Sequence, residues 1–194
     1  MISTLATKIS NRLYAASVIE ESDKELYTYG FFILISRLFY LIVSVLCGLL
    51  LGVLWESVLF YMMFMLLRSY AGGMHAKTES MCSVLTTLSL LASICGIKVL
   101  NFVQNEKISL VILSIGAVCI IALSPLDTVQ KPLEIAERDL YRRISIIIVA
   151  AYLMLALLMY VVGMNGVLNA VAGSVALESA LIIAGKIMRL REEI

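Results

Sequence analysis

Residues 144–162 read Ile144-Ser145-Ile146-Ile147-Ile148-Val149-Ala150-Ala151-Tyr152-Leu153-Met154-Leu155-Ala156-Leu157-Leu158-Met159-Tyr160-Val161-Val162, a run without one charge. A helix rising 1.5 Å per residue covers about 28 Å in that length, close to the ~30 Å hydrocarbon thickness of a bilayer. Tyr141-Arg142-Arg143 precedes the run and the turn Gly163 to Gly166 follows it. This is the pattern of a membrane-spanning helix, and much of the chain repeats it.

Working outward, apolar runs lie at about 82–100, 108–124 and 167–187, broken at Asn101 to Lys107, Pro125 to Arg143 and Gly163 to Gly166. From Gly30 to Leu67 only Arg37 and Glu56 carry charge, so that length holds two crossings joined near Gly52 to Ser57. The second is short, which leaves a re-entrant or strongly tilted piece open. Before them, Ile2, Leu5, Ile9, Leu13 and Ala16 recur at helical spacing within residues 2–19, with Lys8, Asn11 and Arg12 on other faces. That pattern predicts an amphipathic helix lying on the bilayer surface. The chain is 61% apolar and 15% charged, with mean hydropathy +0.99. Soluble domains are nearer 45–50% apolar and about 25% charged. The expectation is an all-α polytopic membrane protein: about six hydrophobic helices plus the N-terminal amphipathic helix, in one integral-membrane domain over 1–194. No cleavable signal peptide is expected, because the first twenty residues lack a continuous apolar core.

Six crossings put both termini on one side of the membrane. Lys8, Arg12, Lys24, Arg68, Lys77, Lys131, Arg138, Arg142, Arg143, Lys186, Arg189 and Arg191 share that side, with only Lys98 and Lys107 opposite. The positive-inside rule then makes it cytoplasmic. Residues 1–28, the loop 68–81 and the loop 125–143 are expected there. The localisation that follows is a multi-pass membrane protein with the Arg68–Cys82 loop on the cytoplasmic side.

Four cysteines, Cys47, Cys82, Cys95 and Cys119, form no C-x-x-C, and with a single histidine they make a poor zinc set. Neither a metal nor another cofactor is expected, and no nucleic-acid partner. Cys47, Cys95 and Cys119 lie inside apolar runs and read as small buried hydrophobes. Cys82 differs, because charged and hydroxyl residues precede it.

The segment from Arg68 to Cys82 contains Gly72-Gly73, the lone histidine His75, Lys77 and the hydroxyls of Thr78 and Ser80. On one unbroken helix His75 and Cys82 would stand roughly 10 Å apart along the axis. The glycine pair allows the backbone to turn, and Thr78 or Ser80 can cap a new helix that carries Cys82 in its first turn. The helix terminus, Lys77 and a protonated His75 would all favour thiolate, and free N–H groups there could hold an oxyanion. This order of residues suits a cysteine nucleophile with a histidine base. Taken singly, each residue also has an ordinary reading: a solvated histidine, a loop-breaking glycine pair, an arginine anchoring a helix end.

Arg68, Gly72-Gly73, His75 and Cys82 at this spacing resemble the signature of the accessory gene regulator protein B (AgrB) family, membrane cysteine endopeptidases that process precursors of cyclic autoinducing peptides. Pro125, Asp127 and the basic run ending Tyr141-Arg142-Arg143 resemble that family's second cytoplasmic loop. The resemblance implies that Cys82 and His75 are catalytic, and that Arg68, Gly72 and Gly73 support them. It also implies a propeptide partner with an amphipathic leader and an acidic C-terminal tail, cut through a thioester on Cys82 and cyclised to a thiolactone or lactone. Lys77, Arg142 and Arg143 are candidate binders of that tail. Glu79 and Asp127 are candidates for a third catalytic residue.

Arg37 and Glu178 fall inside apolar spans, where charge is costly. Glu178 reads as a structural residue, either neutral or paired with Arg37. It continues the small-residue stripe Gly166, Ala170, Ser174, while Ala172, Ala176, Ala180 and Ala184 form a second stripe. The second stripe would pack inside the bundle or against another copy, which makes a homodimer a candidate partner beside the lipid bilayer. Two rival readings are a small membrane transporter or peptide exporter and a non-enzymatic membrane scaffold. A transporter would favour more intramembrane polar residues, and a scaffold gives no reason to gather Arg68, His75 and Cys82.

Overall fold

The computed structural model describes residues 2–74, 78–126 and 135–192, which are all helical apart from short connections. The chain divides into two compact units, Met1–Val43 and Ser44–Ile194.

In the first unit, α1 (Ile2–Ala15) leads through a 3-10 turn at Glu21–Asp23 into α2 (Lys24–Leu51). The first helix stops at Ala15, short of the residue 19 expected from periodicity. Ser17 takes a left-handed φ of 55°, and Ser17 N–H and Val18 N–H donate to the carbonyls of Tyr14 and Leu13. Those two bonds form a Schellman stop. The small residues Ala6 and Ser10 are buried, and the Ser10 hydroxyl donates to the Lys24 carbonyl at 3.0 Å and meets the Thr28 hydroxyl at 2.8 Å. Leu5, 49% exposed, faces away from that contact.

The second unit holds the end of α2 with α3 (Leu54–Ala71), α4 (Glu79–Val103), α5 (Glu106–Leu123), α6 (Ile135–Val162) and α7 (Asn165–Glu192). Among the described residues, five helices are long and apolar enough to cross a membrane: α2, α4, α5, α6 and α7. Helix α7 is central. It packs on α3, α4, α5 and α6, and 56% of its apolar window is buried, against 17–28% in the other four. Small residues make that possible, because helices in lipid gain from close packing of their backbones. A Cβ on Gly116 of α5 would come within 2.9 Å of Val175, and one on Gly173 of α7 within 3.1 Å of Ile97. Of the second stripe, Ala172 is buried and Ala180 is exposed. Leu67, Ile120, Val149, Leu168, Val171 and Val175 sit at the centre of the resulting core.

Helix α3 is the exception to the expected six spans. Its 18 residues include Glu56 and Arg68, and it falls outside the set of membrane-length apolar helices. It nevertheless runs along α7 from Gly166 to Gly185: Glu56 lies against Gly166 at one end, and Met74, just beyond α3, reaches Gly185 at the other. Phe60, Tyr61, Met63, Phe64, Leu67 and Ala71 are all buried, and the Tyr152 hydroxyl donates to the Met63 carbonyl at 2.9 Å. The Glu56 end is stapled by amides. Asn101 Nδ2 donates to Glu56 Oε1 at 3.2 Å, Asn169 Nδ2 to Asn101 Oδ1 at 2.7 Å, and Ser109 to Asn169. Glu56, Asn101, Asn169 and Ser109 thus satisfy one another in a chain of hydrogen bonds, as buried polar groups require. The outside of the bundle is apolar, and Trp55 and Phe102, 80% and 85% exposed, project at this same end.

A second difference concerns the stretch 125–143. Helix α6 starts at Ile135, so Arg138, Arg142 and Arg143 stand on helical turns rather than on a loop. Glu137 in its first turn suits the helix dipole there.

Candidate active site

Arg68 occupies the last turn of α3. The helix ends because Gly72 and Gly73 take φ of 77° and 135°, values that residues with a Cβ rarely adopt. Gly72 pairs with Leu126 in an isolated parallel bridge, and Leu126 N–H donates to the Ala71 carbonyl at 3.0 Å. A Cβ on Gly72 would stand 2.4 Å from the Leu126 oxygen, so the approach requires glycine. Arg68 then folds back over the turn. Its Nη1 donates to the Gly72 carbonyl at 2.7 Å and its Nη2 to the Met74 carbonyl at 2.6 Å. Charge-assisted bonds of this fork are strong and directional. On the other side, Met74 N–H donates to the Leu181 carbonyl of α7 at 3.2 Å, and Glu178 Oε1 lies 3.8 Å from Arg68 Nη1. Glu178 is fully buried, and its charged neighbour is Arg68.

The chain resumes at Thr78, the N-cap of α4. Its hydroxyl accepts from Met81 N–H at 3.3 Å and its carbonyl from Cys82 N–H at 3.0 Å. Cys82 is a free, partly buried thiol in the first turn of α4. The first N–H groups of a helix, here those of Glu79 and Ser80, have no acceptor within it. His75 and Lys77 lie outside the described residues, as do Asp127 and the Glu79 carboxylate. Met74 and Thr78 bracket the His75 segment, and four residue steps span at most about 14 Å. The structure thus brings Arg68, Gly72 and Gly73 into contact, adds Glu178, and places Cys82 where the chain re-enters the helical bundle.

Beside this turn, a cavity of about 310 Å³ is lined by Arg138 and Arg142 of α6, Lys186 and Arg189 of α7, Asp139, and the segment Ser124 to Leu126. Leu126 belongs both to this lining and to the Gly72 bridge. Of the basic residues singled out by sequence, Arg142 lines the cavity, whereas Arg143 is exposed and does not. Arg138, Lys186 and Arg189 went unnoticed as a group. Their spacing, i and i+4 on α6 and i and i+3 on α7, was the available signal. The rings of Tyr70 and Tyr141 meet edge to face at 5.8 Å, tying the end of α3 to α6.

The other cysteines are scattered. Cys47 and Cys119 are partly buried and Cys95 is exposed on α4, so they are not the buried hydrophobes expected of them. Each sits on a helix whose outer side is apolar, where a thiol is tolerated as a small apolar group. Among the described residues no group of His, Cys, Asp and Glu could hold a metal ion.

The profile of the family described as accessory gene regulator B matches residues 5–182. The chain belongs to the AgrB family. An AgrB-like protein of Clostridium perfringens (strain SM101 / Type A) is 28% identical over 174 residues, 85% of this chain and 80% of that one. A second AgrB-like protein, from Clostridium perfringens (strain 13 / Type A), is 27% identical over 146 residues, 71% of this chain and 67% of that one. No solved structure matches. AgrB membership links the chain, at the level of the family, to processing of quorum-sensing peptides. The matched span includes α3, the glycine turn, Cys82 and Glu178.

Proposed function

We propose that the chain is a membrane cysteine endopeptidase that cuts a quorum-sensing propeptide through a Cys82 thioester and promotes its cyclisation. The observation that carries this reading is the pair of constraints around residues 75–77. Arg68 fixes the Gly72 and Met74 carbonyls before them, and the Thr78 cap fixes the first turn of α4 after them. Flanks fixed in this way are what a base and a nucleophile need if they are to meet in a productive geometry.

In the proposed sequence His75 takes the Cys82 thiol proton, and the thiolate adds to the carbonyl that will close the ring. The tetrahedral intermediate collapses, the peptide C–N bond breaks, and the imidazolium returns its proton to the departing amine of the tail. The acyl group remains on Cys82 as a thioester. A thiol or hydroxyl within the same propeptide then attacks that carbonyl, losing its proton to His75 as the C–S bond breaks and the Cys82 thiolate leaves. Thioester exchange keeps the acyl group activated throughout. The α6–α7 basic cavity supports capture of an acidic tail next to the glycine turn, and the concentration of basic residues at this end supports a cytoplasmic site. The direct test is cleavage of a propeptide by purified, reconstituted protein and by its Cys82→Ala and His75→Ala variants. Loss in both variants is expected, and cleavage by Cys82→Ala at the parent rate would overturn the assignment.

A further inference from the structure

Arg138 and Arg142 occupy positions i and i+4 of α6, and Ser145 and Val149, both fully buried, continue the same face at i+7 and i+11. The two arginines therefore lie on the side of α6 that faces the bundle. Lys186 and Arg189 meet them from α7, which sets four cations against the single carboxylate of Asp139. Where α5 ends stands Ser124. It is 5% exposed, it lines the same cavity, and its hydroxyl has no hydrogen-bond partner among the described residues. A buried donor of this kind is costly unless something accepts from it. Clustered cations beside an unused hydroxyl make a receptor for an oxyanion.

The surroundings of the cavity select the anion. Leu123 and Ser124 end α5, and Arg142 stands two residues before the uncharged run of α6, so the cavity opens at the level where both apolar runs stop. Ile183, Ile187 and Leu190, all exposed, follow one another at i, i+4 and i+7 on α7. That apolar stripe runs along the helix into the cavity lining at Leu190. A free ion has no use for such a track, whereas a phosphate that carries acyl chains does. We propose that the cavity is a binding site for an anionic phospholipid, its phosphate held by Arg138, Arg142, Lys186, Arg189 and the Ser124 hydroxyl, and an acyl chain lying along Ile187 and Ile183. The acidic tail of a propeptide offers carboxylates to the same cations, so headgroup and tail take the cavity in turn; that exchange, unlike the lipid site itself, rests on the endopeptidase reading above.

The test is native mass spectrometry of the full chain, delipidated in detergent and titrated with phosphatidylglycerol, phosphatidylcholine or inorganic phosphate. One phosphatidylglycerol should bind, about tenfold more tightly than phosphatidylcholine. Arg142→Gln/Lys186→Gln, at two exposed positions, should weaken it about tenfold. Arg143→Gln, exposed at the same end but outside the cavity, should leave lipid affinity within about twofold. Ser124→Ala, which changes no charge, should weaken the lipid about threefold. Ile187→Asn should weaken the lipid about fivefold and leave inorganic phosphate unaffected. Equal losses in Arg143→Gln and in the double variant would reduce the binding to general surface charge and overturn the proposal. Displacement of the lipid by equimolar inorganic phosphate, or indifference to Ile187→Asn, would overturn it as well, since the ligand would then be a free phosphate. These readouts need no propeptide. A peptide of glutamates should displace the bound lipid; if it does not while the lipid meets every other expectation, the lipid site stands and capture of the acidic tail by this cavity falls.

Discussion

Arg68 Nη1 lies 1.6 Å from the point that a Cβ on Gly73 would occupy. The arginine and the glycine therefore require each other: the guanidinium fits over the turn only because residue 73 has no side chain. Gly72 is tied in the same way to the backbone oxygen of Leu126. Two adjacent glycines that look like a loop breaker in sequence are the seat of an arginine and the edge of a bridge.

Gly73→Ala should accordingly act as a displaced Arg68. The expected loss in propeptide cleavage is about a hundredfold, the size seen when a reacting group moves by about 1 Å. Gly72→Ala should behave alike. Gly96→Ala in α4, where an added Cβ meets nothing within 4 Å, should stay within about twofold of the parent and serve as control. Equal activity in Gly73→Ala and Gly96→Ala would remove the clamp from the mechanism.

Cys82→Ala should leave a folded protein with cleavage below about a thousandth of the parent rate, since removal of a nucleophile leaves only binding and oxyanion stabilisation. Cys82→Ser should be nearly as poor, because a hydroxyl ionises far less readily than a thiol. Replacing Cys47, Cys95 and Cys119 together by alanine should keep activity within about threefold. They sit on α2, α4 and α5, and although Cys47 stands close enough to Cys95 to interact, none of the three is in the first turn of α4 that carries Cys82. Loss of activity in the triple variant with Cys82 intact would show a function for one of them.

The basic cavity leads to a kinetic separation. Arg142→Gln and Lys186→Gln together should raise KM for an acidic-tailed propeptide about tenfold with little change in kcat, as expected when uniform binding is lost. The effect should shrink as ionic strength rises from low salt toward 0.5 M, because exposed charges are screened. A propeptide with its tail carboxylates neutralised should show no difference between parent and variant. A tail-independent fall in kcat would instead assign these residues to the integrity of the α6–α7 end.

The helical architecture was legible because uncharged runs such as 144–162 have one physical solution in a bilayer, a hydrogen-bonded helix. A cap at Thr78 or Ser80 was legible as well, since a hydroxyl ahead of an apolar run is a local signal, and Thr78 fills it. Helix α3 was harder: Glu56 and Arg68 dilute its apolarity, yet both are held by tertiary partners that its own sequence does not name. Glu178 shows the same limit. Its partner is Arg68, a residue 110 positions earlier (178 − 68), and no period in α7 points to it. The cationic cavity is split between two helices, and its α6 half forms only because residues 135–143 are helical, which the charged sequence there does not signal.

Topology can be checked without any substrate. A reporter cysteine at Met164, exposed in the turn between α6 and α7, should react with an impermeant thiol reagent added outside intact cells. One at Arg143, on the cationic end, should be shielded until the membrane is opened. The opposite pattern would place the Arg68 turn outside the cell, where a newly made cytoplasmic peptide could not reach it.

The most specific expectation separates a cyclase from an ordinary hydrolase. With the ring-forming nucleophile of the propeptide replaced by alanine, the first half of the reaction can still run, because Cys82 and His75 need nothing from that side chain. The tail then leaves and its release cannot readily reverse once it has diffused away. The acyl group has no internal acceptor, and a bilayer bordering the start of α4 is expected to limit water at the thioester. Parent protein incubated with this peptide should therefore gain the mass of the tail-less fragment on Cys82, visible by intact-protein mass spectrometry and released by hydroxylamine. Cys82→Ala should gain none. Turnover of the altered peptide to a free linear product at the parent rate would mean that water is the natural acceptor, and that ring closure belongs to another catalyst.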